Sequence, residues 1–175
     1  MSQIGDGNRL LIPISEQDHI QGVMNAPVVL VAYGDYQCPS CCEVYKMIQV
    51  IQQQLALRFV FRHFPQIQLH SQAQKAAEAA ESAAAQNKFW QMHNTLFEHQ
   101  SALNDGYLLE YASAAQLDIE QFLRDMTAHV HAERVTQNLQ GGKQSGVSHA
   151  PALFINGDRY RNAWDTERLI DTIIQ

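Results

Sequence analysis

Cysteine is scarce in this chain: there are three among 175 residues, and all fall within residues 38 to 42. No second C-x-x-C pair exists. Structural zinc takes about four ligands, usually from two separated pairs, so a zinc-ribbon type of site is disfavoured. The eight histidines contain no H-x-x-x-H pair with an acidic partner, and His129 and His131, two residues apart, face different ways on a helix. No metal is expected. Long apolar runs are also missing. The longest, Ala26 to Tyr33, is far below the ~20 residues of a membrane span. There is no basic cluster, and the net charge of −6 argues against a nucleic-acid binder, which needs a basic face. At the N-terminus, Met1 to Gly7 has no cationic segment. Leu10-Leu11-Ile12-Pro13-Ile14 is too short and interrupted for the ~7 to 15 residue core of a signal peptide. The expectation is a cytoplasmic protein, or a periplasmic one if a leader has been removed.

What is present centres on Tyr33-Gly34-Asp35-Tyr36-Gln37-Cys38-Pro39-Ser40-Cys41-Cys42. The run before it, Pro27 to Tyr33, is short, β-branched and apolar throughout, which suits a strand buried on both faces. Gly34, Asp35 and Gln37 then break the pattern. Pro39 favours the first position of a helix, which makes Cys38 its N-cap. A sulfur there faces unpaired N–H groups and the positive end of the helix dipole, so its thiolate is favoured. Cys38 is therefore the expected nucleophile. Cys41, one helical turn deeper, is placed to resolve a mixed disulfide. Cys42 reads either as a small hydrophobe on the inner face of the helix or as a second partner for Cys38, which helix spacing does not exclude. A vicinal Cys41–Cys42 bond would be strained. Asp35 is expected to be exposed in the loop.

In chain order, residues 1 to 8 read as a mobile lead-in, Leu10 to Ile14 as a short edge strand, and Ser15 to Ala26 as a loop with turns. From Ser40 to about Leu57, apolar residues recur at three- and four-residue steps and predict an amphipathic helix. Arg58 to Phe64 ends at Pro65 and predicts a second central strand. Strand, helix and strand in that order form a right-handed parallel crossover. Its reactive groups gather at the carboxyl ends of the strands. Residues 71 to about 140 are helical in pattern. The smooth Ala73, Ala76, Ala77, Ala80, Ala83 and Ala84 face admits a close helix neighbour. Asp118 is an N-cap, and the last helix of this stretch is expected to stop at Gly141-Gly142. Ala152 to Ile155 and Arg159 to Arg161 predict a hairpin through Asn156-Gly157-Asp158. Asp165 then caps a final helix.

The order of strand, C-P-x-C helix, strand, helical insertion, X-Pro hairpin and terminal helix resembles the DsbA-like oxidoreductases of the thioredoxin-fold superfamily. The segments that carry the resemblance are YGDYQCPSC, Arg62-His63-Phe64-Pro65, Ala76 to Trp90, Gly146-Val147-Ser148 and Phe154-Ile155-Asn156-Gly157. It implies an α/β thioredoxin fold with a central mixed sheet, residues 1–175 as one domain, and an all-helical insertion at about 71–140. Pro151 would be a cis-proline beside the active sulfur. The backbone of Ala150 would take up extended substrate, with Pro39 and Ser40 completing the substrate face. Relatives work through a mixed disulfide with protein or small thiols, using no cofactor; for this chain the resemblance implies such thiol or disulfide substrates and a redox partner that the sequence does not identify.

Three features depart from the pattern. His149-Ala150-Pro151 replaces the usual Gly-Thr-Pro, so a hydroxyl is lost and an imidazole is nearby. His149 either tunes the thiolate or faces solvent. Ala32 stands where relatives carry a buried carboxylate that moves the proton of the second cysteine. The missing leader conflicts with a periplasmic oxidising role. Three functions are therefore open: a thiol–disulfide oxidoreductase, a non-catalytic thioredoxin-fold binding module, and a peroxide or thiol sensor in which Cys41 or Cys42 captures an oxidised Cys38.

Overall fold

The structure, a computed structural model, describes residues 7–175. The lead-in expected over residues 1 to 8 lies almost wholly outside them. In chain order the elements are β1 (His19–Gly22), β2 (Val29–Gly34), α1 (Pro39–Gln54) and β3 (Arg58–His63). Five helices follow: α2 (Ala73–Ala85), α3 (Phe89–Glu98), α4 (Asp105–Ala114), α5 (Ile119–Thr127) and α6 (Ala132–Gln144). β4 (Ala152–Ile155), β5 (Asp158–Arg159) and α7 (Thr166–Ile174) close the chain.

The five strands form one mixed sheet in the order β1-β3-β2-β4-β5. β2 and β3 are parallel, with Leu30 beside Phe59 and Gly34 beside His63. The other neighbouring strands run antiparallel. β2 is buried almost throughout, which its continuous apolar run requires. α1 turns Val44, Met47, Ile48 and Ile51 into the core, the positions that its three- and four-residue spacing selects. Each such side chain, fully buried, stabilises the fold by about 1.5–3 kcal/mol. This is the thioredoxin-like arrangement, a central mixed sheet with helices packed on it, that the sequence resemblance implied.

The Ala-rich helix α2 packs on α3, α4, α5 and α6, with Ala76, Ala79, Ala80 and Ala83 fully buried. Small side chains let these helices approach closely. Asn104, Asp118 and Asp165 cap α4, α5 and α7 by accepting the backbone N–H three residues on, each contributing about 1 kcal/mol. The Asn156-Gly157 turn of the β4–β5 hairpin has positive φ at both residues, as a type I′ turn needs.

Three expectations are corrected. Leu10 to Ile14 is not an edge strand; the edges are β1 and β5, and β1 lies inside the stretch read as a loop. The Leu10–Ile14 segment is held by one backbone hydrogen bond, from the Leu10 N–H to the Gly157 carbonyl at 2.8 Å, and by side chains. Arg62 donates to the carbonyls of Ile12 and Pro13 and pairs in bidentate fashion with Asp18 at 2.8 and 2.9 Å. Helix α6 does not stop at Gly141-Gly142 but runs through both. A Cβ on Gly142 would sit 2.9 Å from the Phe64 ring and 3.0 Å from Tyr33. Glycine here permits close packing rather than ending the helix. Third, the return arm of the hairpin is shorter than expected, Asp158–Arg159 only.

Candidate active site

The end of β2 and the start of α1 hold the thiols. Cys38 is the N-cap of α1, in extended backbone conformation, with Pro39 in the first turn. Proline can sit there because its missing N–H has no helical partner. Cys38 and Cys41 are both buried, while Pro39 and Ser40 are exposed. All three cysteines are thiols. The Cys38 sulfur lies 3.8 Å from the carbonyl oxygen of Ala150, and the Ala150–Pro151 peptide bond is cis. The strand pairing of β2 with β4 brings these two distant segments together.

A hydrogen bond from the Cys41 thiol is the main cause that lowers Cys38 to about 6. Burial opposes it, the backbone N–H groups of Cys41 and Ser40 assist, and the negative Asp35 opposes. Cys41 is pushed strongly upward, first by burial and then by its bond to Cys38. The two sulfurs thus divide the work, one as thiolate and one as thiol, through their different depth in the helix.

Asp35 is not exposed, as the loop composition led one to expect; it is fully buried. Its Oδ1 accepts from the backbone N–H of Gln37 at 2.8 Å. Its Oδ2 accepts from the Gln66 N–H at 2.9 Å and the His70 ring at 2.8 Å. Three donors compensate for burying the carboxylate. His149 faces solvent, its ring nitrogen 3.0 Å from Ser148 Oγ. Cys42 is only half-buried, and its thiol donates to the carbonyl of Phe97 on α3 at 3.5 Å.

Two further residues belong to the site, and neither was expected. Gln66 Oε1 accepts from the Ala150 N–H at 3.3 Å. Gln100 Nε2 donates to the carbonyls of Tyr36 at 2.9 Å and Cys38 at 2.6 Å, fastening the thiol loop to the end of α3. Lone glutamines in turns carry no periodic or motif signal. Beneath Cys41 is a cavity of about 20 Å³, room for about one water molecule. Its lining includes Ala32, Tyr45, His93, Phe97 and Pro151.

A family model described as thioredoxin matches residues 15–175. The chain belongs to the thioredoxin family. Within the family fold, a thioredoxin-like oxidoreductase from Silicibacter pomeroyi superposes with a TM-score of 0.81 at 24% identity, covering 91% of this chain and 92% of that one. BdbD from Bacillus subtilis gives 0.79 at 23% identity, over 89% and 90%. The thiol-disulfide exchange protein alpha-DsbA2 from Wolbachia pipientis gives 0.77 at 21%, over 91% and 87%. At these identities the likeness concerns fold. In sequence, the Na(+)/H(+) antiporter NhaA 1 of Mycolicibacterium vanbaalenii is 40% identical over 169 residues, 94% of this chain and 27% of that protein. NhaA 3 of Salinispora tropica is 36% identical over 162 residues, 91% and 25%. The chain spans about a quarter of the length of these curated relatives. No helix among the described residues is long and apolar enough to cross a membrane.

Away from the thiols, this member of the thioredoxin family gathers one group of metal-ligating side chains among its described residues, His19, His63 and Glu81. Both Nε2 atoms lie 2.7 Å from the same Glu81 oxygen. His63 Nδ1 is buried without a partner. A ligating histidine normally donates that second nitrogen to an acceptor. The group reads as a buried hydrogen-bonded clasp of β1, β3 and α2.

Proposed function

We propose that the protein is a thiol–disulfide oxidoreductase that exchanges disulfides with protein or low-molecular-weight thiol substrates. The single observation that supports this most is the pairing of a low-titrating Cys38 with a deeper Cys41, opposite the Ala150 carbonyl and Pro151. The Cys38 thiolate attacks a substrate disulfide, forms a mixed disulfide and expels one thiolate. Cys41, losing its proton, then attacks the Cys38 sulfur and expels the second thiolate. The protein is left with a Cys38–Cys41 disulfide and the substrate with two thiols. The reverse sequence oxidises a dithiol substrate. The glutathione equilibrium of the pair decides which direction a given compartment drives.

Pro39, Ser40 and the Ala150–Pro151 backbone form the substrate-facing surface of this proposal. Extended substrate would hydrogen-bond to Ala150 in the manner of an added strand. The test is reduction of a disulfide substrate by the wild type and two variants. Cys38→Ser is expected to abolish turnover, and Cys41→Ser to accumulate a mixed disulfide at Cys38 visible by mass spectrometry. Full turnover by Cys38→Ser would overturn the proposal.

A further inference from the structure

Ala32 leaves the usual buried carboxylate out of this site, yet a buried carboxylate is present three residues further on. Asp35 touches each part of the site. Its carbonyl accepts from the Cys38 N–H at 3.2 Å, and its own N–H lies 3.4 Å from the Cys41 sulfur. Its carboxylate seats Gln37, Gln66 and His70. A carboxylate only accepts, so the proton is on His70 Nδ1. Gln66, seated by that carboxylate through its backbone, in turn binds the Ala150 N–H. One residue thereby joins the thiol loop, the turn after β3 and the cis-proline loop.

We propose that Asp35 is a positioning residue of this site, and that its buried negative charge holds the Cys38–Cys41 pair more reducing than the same pair would be without it. A negative charge in a poorly screened interior opposes formation of a thiolate nearby. Asp35 acts upward on both thiols. The disulfide form carries no thiolate, so the charge raises the free energy of the reduced form alone. In the balance protein disulfide + 2 GSH ⇌ protein dithiol + GSSG, two electrons pass to the protein, and Asp35 moves the equilibrium toward the disulfide. The charged and titratable groups acting on Cys38 are Cys41 and Asp35, with His70 bonded to Asp35; Tyr45 and His93 line the cavity beside Cys41. His70 keeps 19% of its side chain exposed, so this end of the cradle meets solvent.

The inference deepens the oxidoreductase reading, but its test reads the thiols themselves. The pH dependence of Cys38 alkylation and the glutathione equilibrium are measured for wild type, Asp35→Asn and His70→Lys. Asp35→Asn removes the charge, and the Cys38 titration is expected to fall by roughly one pH unit. At pH 7 the equilibrium moves about tenfold toward the dithiol, or ~30 mV for a two-electron couple. His70→Lys sets a fixed cation against the intact carboxylate and shifts both readings the same way by less. A residue that only shaped the loop would do the opposite: its loss would free Cys38 from Cys41 and the helix N–H groups and raise its titration toward that of a free thiol. A titration unchanged or raised in the folded variants overturns the inference. Should Asp35→Asn not fold, His70→Lys decides, because it leaves the buried carboxylate in place. An inactive protein would still show the shift, and an active protein without it would sink this inference alone.

Discussion

Gln66 Oε1 occupies the Ala150 N–H at 3.3 Å, the backbone group to which an extended substrate would add. The partner carbonyl of Ala150 faces the Cys38 sulfur. On the proposed function, the side chain of Gln66 stands where substrate would bind and would have to leave before a peptide backbone could take its place. A neutral hydrogen bond of this kind contributes about 0.5–1.5 kcal/mol net. Gln66→Ala keeps the backbone N–H that Asp35 accepts but removes this competitor. KM for a peptide disulfide is expected to fall roughly two- to tenfold with kcat little changed. A rise in KM would show that Gln66 orders the loop and does not compete.

The titration of Cys38 gives a stability signature that separates the two redox forms. In the folded dithiol its value is about 6, against a reference of 9.0. The folded value is depressed, so the stabilisation is complete above the unfolded value and is lost as pH falls through about 6. Between about pH 6 and 9 the reduced protein therefore gains stability from this thiol with rising pH, a contribution that the disulfide form, having no thiol at Cys38, lacks. Cys41 works the other way only above its reference value, because its raised pKa keeps it protonated in the fold. Thermal melts of both forms at pH 5, 7 and 9 check this. Equal pH dependence in the two forms would contradict the lowered thiol.

Acid should unfold the protein through its buried histidines. His63 and His93 are fully buried, and burial holds both below the ordinary histidine value. They stay neutral in the fold and bind protons when unfolded, so stability falls as pH drops below about 6.5. Glu81 adds to this at lower pH. The hydrogen bonds from His19 and His63 outweigh burial and depress it, so its contribution is lost as pH falls below the ordinary glutamate range. Glu81→Ala leaves two imidazoles without their acceptor at the β1–β3–α2 junction. The expected cost is about 1–3 kcal/mol, that of buried donors left unsatisfied, read by urea denaturation at pH 7. A cost under 1 kcal/mol, within the range of an exposed ion pair, would show that the clasp does not hold the sheet edge.

The central crossover and the thiol turn were legible because their signals are local. An apolar run, a proline at the helix start and three- and four-residue spacing each act within a few residues. β1 was not legible: His19-Ile20-Gln21-Gly22 has one aliphatic side chain, and its place is set by pairing with β3 and by Glu81, some sixty residues away. Asp35 reads as exposed because a lone carboxylate in a loop usually is. Its burial depends on donors from residues 66 and 70 as well as 37. Gly141-Gly142 has the composition of a stop, and only the rings of Tyr33 and Phe64 show why a helix needs glycine there. Long-range polar partners decided each of the first two errors, and long-range packing the third.

Ala32 is the position where the chain itself can be changed to test how Cys41 loses its proton. Burial pushes Cys41 upward, while its attack on the mixed disulfide requires the thiolate. The Ala32 side chain lines the cavity of about 20 Å³ beneath it, which admits a water but offers no carboxylate. A positioned general base commonly accelerates proton transfer about 10²- to 10⁴-fold. Ala32→Asp, the shorter acid, is expected to speed the release of a preformed Cys38 mixed disulfide by at least tenfold at pH 7. It should also lower stability by about 1–3 kcal/mol, since the added atoms exceed the space available. Single-turnover release of a fluorescent thiol from Cys38 measures the first effect, and denaturation the second. Faster release only in the variant, with the wild-type rate rising with pH, would show that deprotonation of Cys41 limits resolution. Identical rates in folded Ala32→Asp and wild type would place the slow step elsewhere, in the exit of the leaving thiol past Gln66 and Pro151.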